Sequence, residues 1–494
     1  MSRRSRLEYE DVQAVIVAGT QDADWVSAEF GGADLSDKRL DRRLIKTAQP
    51  LARSPTAPIN EACGDWASTQ AAYRLFDNPK ASVQAILRPP TEATVARMAA
   101  HGGPVLAIQD TVFFSYGQPP KTRGLGPIGK SNSAGERGLI MHNALALTTS
   151  GVPLGVLSQQ IWARKAVPEE GHQEKIERLQ CTAIEEQESS KWLGALRATV
   201  ARSPAGVKVI TVADRESDFF EFITEAHEAH ALFLIRARTD RRLVPEDSEG
   251  NTSILDAMVN APVLGAVTVA IPSNGQRKAR TARVEVRIAA VTIKPPARRG
   301  QAKASASLEP VTVNVIAATE ASPPTGIEAL SGVLLTNLPV KSFSAAAEKI
   351  DGYAQRWGIE TWHKVLKSGC TVEDCLLETG DRLKRYLTLF SLIAVRLMHV
   401  AYRARVQPQA PATEVFSQAE IEALHIRLTQ TLPPPDPPTL RDGVRMIGRL
   451  GGHLGRTCDG EPGMTVLWRG WLRLYEDVAI VRAHKQALGL IDSS

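Results

Sequence analysis

Cysteine is scarce in this chain. There are five in 494 residues (Cys63, Cys181, Cys370, Cys375, Cys458), an odd number with no C-x-x-C pair. That spacing argues against a disulfide framework or a zinc site and fits a reducing compartment. No run of about 18 apolar residues is present, so no membrane-spanning helix is expected. The opening MSRRSRLEYEDVQ is basic but leads into no apolar segment, so no secretion signal is expected. Charge of either sign is hardly in excess: 59 basic against 54 acidic residues, a net +5 and a pI near 8.9. A polyanionic partner therefore has to be argued from clustering rather than from the total.

What is there is the composition of a soluble globular protein, 43% hydrophobic and 23% charged. The length allows two to four domains with ample core. Residues 1 to about 90 read as mostly helical, closing at Arg88–Pro90. Three strand patterns follow, PVLAIQDTVFFSY, GLIMHNALALTT and PLGVLSQQIWAR, and their short connections imply an antiparallel meander. A long helical region covers residues 168–201. VKVITVAD is a near-continuous apolar run, the mark of a strand buried on both faces. SDFFEFITEAHEA reads as a helix and ALFLIRAR as a strand, which makes an α/β layer with a mixed sheet. From about 250 to 340, AVTVAIPS, ARVEVRIAAVTIKPP and EPVTVNVIAATEAS alternate with period two, a block of antiparallel sheet. Helical patterns return after it, interrupted by the stiff linker TLPPPDPPTL. In the last helix Leu467, Trp471, Leu474 and Val478 share one face.

The cations are clustered. LSDKRLDRRLIKTAQPLARS reads as a helix capped by Ser36, with Leu40, Leu44, Ala48 and Leu51 inward and Arg39, Arg42, Arg43 and Lys46 outward. FLIRARTDRR, with Arg236 and Arg238, is a second concentration. Each is either solvated charge or a surface for a phosphate backbone. GLGPIGKS (Gly124–Ser131) matches the phosphate-loop pattern letter for letter, but no buried strand precedes it and no helix opens at Lys130. ATPase activity is not expected; a glycine-rich loop carrying Lys121, Arg123 and Lys130 is the better reading.

The chemistry-bearing stretch is YAQRWGIETWHKVLK, Tyr353 to Lys367, with Ser344 expected as its helix cap and Gly369 just past its end. At about 100° per residue, Arg356, Trp357, Glu360, Lys364 and Lys367 fall within roughly 60° of Tyr353. Ile359, Trp362 and Leu366 form the opposite, core-facing stripe. The polar face is either solvated, with a Glu360–Lys364 ion pair, or a carboxylate set among cations and aromatics for use. Two further carboxylates end β runs: Asp110 in AIQDT and Asp214 in TVADRESD. If those strands are neighbours, the two meet at one sheet edge, where functional groups gather. Glu360 would be a third, and three convergent carboxylates suit Mg²⁺ or Mn²⁺.

Tyr353, Arg356, Glu360 and Lys367 have the spacing Y-x2-R-x3-E-x6-K. This resembles the signature of bacterial DDE transposases of the insertion-sequence-four type, which include the transposase of the kanamycin-resistance transposon. AIQDT and ADRESD are similar to that family's other two carboxylate regions. ACGDWASTQAAYRLFDNP, ESSKWL and MIGRLGGHLGR…LWRGW resemble its N-terminal, central and C-terminal parts. The resemblance implies a ribonuclease-H-like core with a β-rich insertion, flanked by helical domains: an end-binding domain at 1–90, a catalytic domain at 91–385 with the insertion at about 240–340, and a dimerisation domain at 386–494. It implies Asp110, Asp214 and Glu360 as catalytic and metal-binding residues, two Mg²⁺ ions per site with Mn²⁺ able to substitute, and cut-and-paste chemistry on DNA. Arg356, Lys367 and Lys364 would neutralise phosphates, Tyr353 would donate to one, and Trp357 would pack near the distorted end. The partners implied are double-stranded DNA, both inverted-repeat ends and target, and a second copy of the chain; no membrane or nucleotide cofactor is implied, and the location implied is the bacterial cytoplasm, at the nucleoid. A DNA-binding descendant without catalysis is the alternative. Two departures stand out: Gly332–Val333 where a family member places a Trp that stacks a flipped base, and Gly358 where it places a cation.

Overall fold

A computed structural model describes residues 25–117, 121–128, 135–165, 171, 174, 184–244, 250–271, 279–296, 309–456 and 458–488. The basic opening segment, Lys130, Cys181 and most of the helical stretch expected before Ile184 lie outside the described residues. Among the described residues five helices come first: α1 (Trp25–Phe30), α2 (Lys38–Arg53), α3 (Ile59–Cys63), α4 (Trp66–Asp77) and α5 (Val83–His101). The α2 stripe is as expected, with Leu40, Leu44, Ala48 and Leu51 buried. Its cap differs: Asp37, not Ser36, accepts the Arg39 N–H. Ser36 has a φ of 61°, so it turns the chain just ahead of the cap. Helix α5 does not close at Arg88–Pro90 but runs through Pro89 and Pro90 to His101, where Gly102 ends it in the left-handed conformation. Proline inside a helix costs about 3 kcal/mol. Tertiary contacts offset that cost, because both prolines are buried, the Thr91 hydroxyl donates to the Val156 carbonyl at 3.2 Å, and Arg97 forks onto Glu29 at 2.9 and 3.0 Å.

The described strands form one ten-stranded sheet. Strand β1 (Val105–Ser115) pairs antiparallel with β3 (Arg137–Thr148), and β3 pairs with β4 (Pro153–Trp162) and with the short β2 (Gly126–Pro127). After α6 (Ser190–Arg202), β5 (Val209–Ala213) lies parallel to β1; after α7 (Phe220–Glu228), β6 (Leu232–Arg236) lies parallel to β5. This three-antiparallel, two-parallel order is the ribonuclease-H-like arrangement. The 250–340 block opens with a short helix, α8 (Ile254–Asn260). Its strands β7 (Val263–Ile271), β8 (Arg280–Ile293), β9 (Val311–Glu320) and β10 (Ser331–Thr336) are antiparallel, as the alternation predicts. They do not stand apart: β10 pairs with β6, so the block continues the central sheet.

The signature segment is not one helix. Helix α9 (Phe343–Ala354) is capped by Ser342 rather than Ser344, and α10 (Trp357–Lys364) follows a tight turn. There the bonds are i to i−3, Arg356 N–H to Tyr353 and Gly358 N–H to Gln355. A five-residue π turn, Val365–Gly369, then brings the Cys370 N–H onto the Val365 carbonyl. The turn re-aims the chain so that Gly358 presses onto β3, where an added Cβ would stand 2.8 Å from Leu147 Cδ1. Gly358 is therefore a packing position and not one missing from the cationic face. The rest is helical: α11 (Gly380–Val406), α12 (Gln418–Thr429), α13 (Leu440–Leu450) and α14 (Met464–Ala487). By length and composition α11 could cross a membrane, but 89% of its apolar window is buried inside the protein. It is the central core helix, with Leu387, Phe390 and Met398 at its heart. On α14, Leu467, Trp471 and Leu474 are buried and Val478 packs against the same cluster.

Candidate active site

Strands β1 and β5 are neighbours, and their register decides the site. Ile108 pairs with Val212. Two residues beyond that pair come Asp110, still within β1, and Asp214, just past the C-terminal end of β5. The two acidic residues therefore follow the same end of two adjacent parallel strands. Asp110 does not end its strand, however. β1 runs on to Ser115 because β3 still pairs with it after β5 has stopped at Ala213. At that point Asp214 turns the chain, its Oδ1 accepting the Glu216 N–H at 2.9 Å.

Helix α10 supplies the third carboxylate. Ile359 and Trp362 are buried beneath it, and the Trp362 indole N–H donates to the Ser391 carbonyl on α11 at 2.9 Å, which fixes the helix rotation. Glu360 then faces the strand pair. It bonds Arg356, not Lys364, and the Arg356 guanidinium also lies 3.8 Å from Asp110. A cation thus stands between the first and third carboxylates. Asp110 is pushed up to about 7, first by burial and further by the negative charges of Asp214 and Glu360, against the Thr111 N–H and Arg356. Asp110 therefore feels both of the other carboxylates. Among the described residues no three His, Cys, Asp or Glu side chains are drawn close enough to hold a metal ion; Arg356 takes up the room between two of them. The donor set itself, three carboxylates, is the kind a hard divalent cation suits.

The other expected contacts vary. Tyr353 is half-buried; burial raises its hydroxyl, with Arg356 and Arg236 acting on it from nearby, so Arg236 at the end of β6 faces the same site. Lys367 is held at 3.2 Å by Glu373, over the Phe114 ring. Trp357 is 67% exposed, and Lys364 is exposed beside it. Arg238 is exposed, its N–H donating to Asp218. In the same cluster Arg241 is committed to a buried pair with Asp218 at 2.6 Å, a structural role. Arg39, Arg42 and Lys46 are exposed and Arg43 half-buried on α2; none meets the three carboxylates. Gly332 has open space where a side chain would stand. The described part of the GLGPIGKS loop, residues 124–128, includes β2, which pairs with β3; Lys130 lies outside the described residues.

Sequence reasoning missed a polar layer beneath the site. Gln159 on β4, Asn143 on β3 and Asp110 on β1 are consecutive cross-strand partners. His363, three residues after Glu360, sits on this row: its Nε2 is 3.2 Å from Asn143 Nδ2 and its Nδ1 is 3.9 Å from Asp110 Oδ2. Burial pushes the His363 imidazole down to about 3. The i+3 spacing from Glu360 was a visible signal; the strand register was not. Glu373 was missed as well, and it also accepts the Ser115 N–H at 2.7 Å.

Comparison with known families adds two matches. Residues 22–81 match the family described as transposase DNA-binding, and residues 392–488 match the one described as the transposase Tn5 dimerisation domain. They bracket the carboxylate site from both ends of the chain. Together they support a Tn5-like transposase with DNA as its partner and self-association through its C-terminal helices.

Proposed function

We propose that this chain is a DDE transposase of the insertion-sequence-four type, moving a DNA segment by cut-and-paste. Asp110, Asp214 and Glu360 are its catalytic carboxylates. The observation that supports this reading is the β1–β5 pairing, whose last pair, Ile108–Val212, is followed two residues on by Asp110 and Asp214, together with the influence of both Asp214 and Glu360 on Asp110. The three carboxylates would hold two Mg²⁺ ions, with Mn²⁺ able to substitute; the ions would supply Lewis-acid activation of water and neutralise phosphoryl charge.

The chain's own side chains bind and orient the DNA. Arg356 and Lys367 neutralise phosphate oxygens near the scissile bond, and Tyr353 donates its hydroxyl to a phosphate. Lys364 and the exposed Trp357 meet the duplex end, with Trp357 available to stack against bases. Arg236 and Arg238 extend the cationic track across the sheet edge. Arg39, Arg42, Arg43 and Lys46 on α2 grip the backbone of the terminal repeat. Water opens the first phosphodiester bond. The freed 3′-hydroxyl then attacks the opposite strand to close a hairpin and, after that is reopened, attacks target DNA. Residues 1–90 are the end-binding domain, 91–385 the catalytic domain with its β extension, and 386–494 the pairing domain. In the paired complex each end is bound by one subunit and cut by the other, with no nucleotide cofactor or membrane involved, at the nucleoid of a bacterial cytoplasm.

The test is cleavage of a plasmid carrying the element's own inverted ends, wild type against Asp214→Ala, with and without Mg²⁺. Metal-dependent release that the substitution abolishes is the expected result. Specific end binding without cutting under Mg²⁺ or Mn²⁺ would instead identify a catalytically silent DNA-binding protein.

A further inference from the structure

The buried layer below the carboxylates has a direction. The Ser391 hydroxyl donates to the Thr388 carbonyl at 2.7 Å, one turn back in α11. With that proton on Thr388, Ser391 accepts from the Gln159 amide nitrogen at 2.9 Å, and the Gln159 amide oxygen has no partner among the described residues. The same nitrogen donates to the Asn143 carbonyl oxygen at 3.2 Å. That leaves the Asn143 amide nitrogen turned towards His363 Nε2 at 3.2 Å. An amide nitrogen has no lone pair to offer, so Nε2 must accept. Each step removes one freedom, and the last consequence falls on His363. Its ring proton is on Nδ1, the nitrogen 3.9 Å from Asp110 Oδ2. Asp110 Oδ1 is already occupied by the Thr111 N–H at 2.8 Å.

We propose that His363 is a positioning residue for Asp110: held as the Nδ1–H tautomer by the Ser391–Gln159–Asn143 chain, it aims a donor at Oδ2 and fixes the plane of that carboxylate for cation binding. The inference rests on the reading of Asp110 as a metal-holding carboxylate. At 3.9 Å the donor is poised rather than bonded, as positioning groups often are before a site is loaded. The layer crosses the whole fold, from α11 through β4 and β3 to β1, so the core helix sets the carboxylate's orientation. A histidine serving only as packing would need neither a dictated tautomer nor a nitrogen facing the acid. Groups just outside a metal site that orient its carboxylates and imidazoles typically change metal affinity by about 10–100-fold when removed.

The experiment is a Mn²⁺ titration of the full chain, followed by electron paramagnetic resonance. It compares wild type, Asp110→Ala, His363→Asn and His363→Gln, each checked for folding by its melting curve. An Asn amide nitrogen falls near the place of Nδ1, whereas a Gln amide falls near that of Nε2. His363→Asn is expected to bind Mn²⁺ within about threefold of wild type and His363→Gln about tenfold or more weakly. Equal binding by wild type, Asn and Gln variants, with binding abolished in Asp110→Ala, overturns this proposal and leaves the carboxylate assignment standing. Binding unchanged in Asp110→Ala overturns the carboxylate assignment and this proposal with it. Nitrogen-15 spectra of histidine-labelled wild-type protein provide a readout that needs no substitution. A protonated Nδ1 on His363 is expected, and a protonated Nε2 overturns the proposal.

Discussion

The two sets of cations in this molecule are held in opposite ways. On α2, Arg39, Arg42 and Lys46 stand exposed, and none pairs with a carboxylate among the described residues. On the signature segment, Arg356 is wedged between Asp110 and Glu360, and Lys367 is tied to Glu373. Exposed charges act over about a Debye length and are screened by salt, so the first set suits capture of a long polyanion. The second set is pre-placed among acids in a drier setting, where a shift of a few ångströms changes the local field greatly. On the proposed reading, capture of DNA and positioning at the scissile bond fall to different cations, and each can be removed without the other.

Breaking the chemical side gives the largest effect. Glu360→Gln should lower end cleavage by about three orders of magnitude, roughly 4 kcal/mol of barrier, and leave end binding within a factor of about two. Near-normal cleavage would remove Glu360 from the site. Breaking the capture side comes next. Replacing Arg39, Arg42 and Lys46 together by Ala should flatten the plot of log affinity against log salt by up to about three units of slope, near 0.9 for each phosphate no longer neutralised. Single-turnover cleavage of DNA already bound should be unchanged; an unaltered slope would mean that α2 does not touch the backbone.

A smaller effect concerns the scaffold. His399 on α11 is buried with its Nδ1 at 2.8 Å from the Pro153 carbonyl, and burial pushes it down from 6.5 to about 3. The unfolded chain takes up this proton below 6.5 and the folded chain does not, so its contribution is full above 6.5 and fades as pH falls towards 3. At pH 5 the loss should be about 2 kcal/mol. Denaturant unfolding of wild type and His399→Leu at pH 7 and 5 should show the variant's pH dependence flattened by that amount, and equal pH dependence would contradict it. The smallest expected effect is at Gly358. Gly358→Ala should cost about 1–2 kcal/mol of stability through overpacking against Leu147 while leaving DNA affinity intact. A change in DNA affinity with unchanged stability would return Gly358 to the cationic face.

Much of this was legible from sequence because it depends on local periodicity. Alternation marks the β8 and β9 strands, apolar continuity marks β5, and the stripe Ile359, Trp362 and Leu366 marks the buried side of the signature segment. Asp110, Asp214 and Glu360 were readable as candidates for the same reason. What stayed hidden depends on partners distant in sequence. That Asp110 and Asp214 both follow the last β1–β5 pair by two residues is a matter of β1–β5 register. The row from Gln159 to Asp110 needs three strands aligned, and the passage of α5 through Pro89 and Pro90 needs β4 alongside to hold it. The break before α10 was hidden because nothing in Gln355 or Arg356 disfavours helix. The break brings Gly358 close against Leu147 of β3, a contact distant in sequence.

On the proposed reading, three sequence-distant carboxylates surround one metal centre. Replacing Mg²⁺ by Fe²⁺ and generating hydroxyl radicals with ascorbate and peroxide tests it most directly, because the polypeptide is cut where the ion sits. Cuts near Asp110, near Asp214 and near Glu360 in the same protein, suppressed together by excess Mg²⁺ and abolished together in Asp214→Ala, are the predicted result. Cuts confined to one of the three segments, or unaffected by Asp214→Ala, would contradict it.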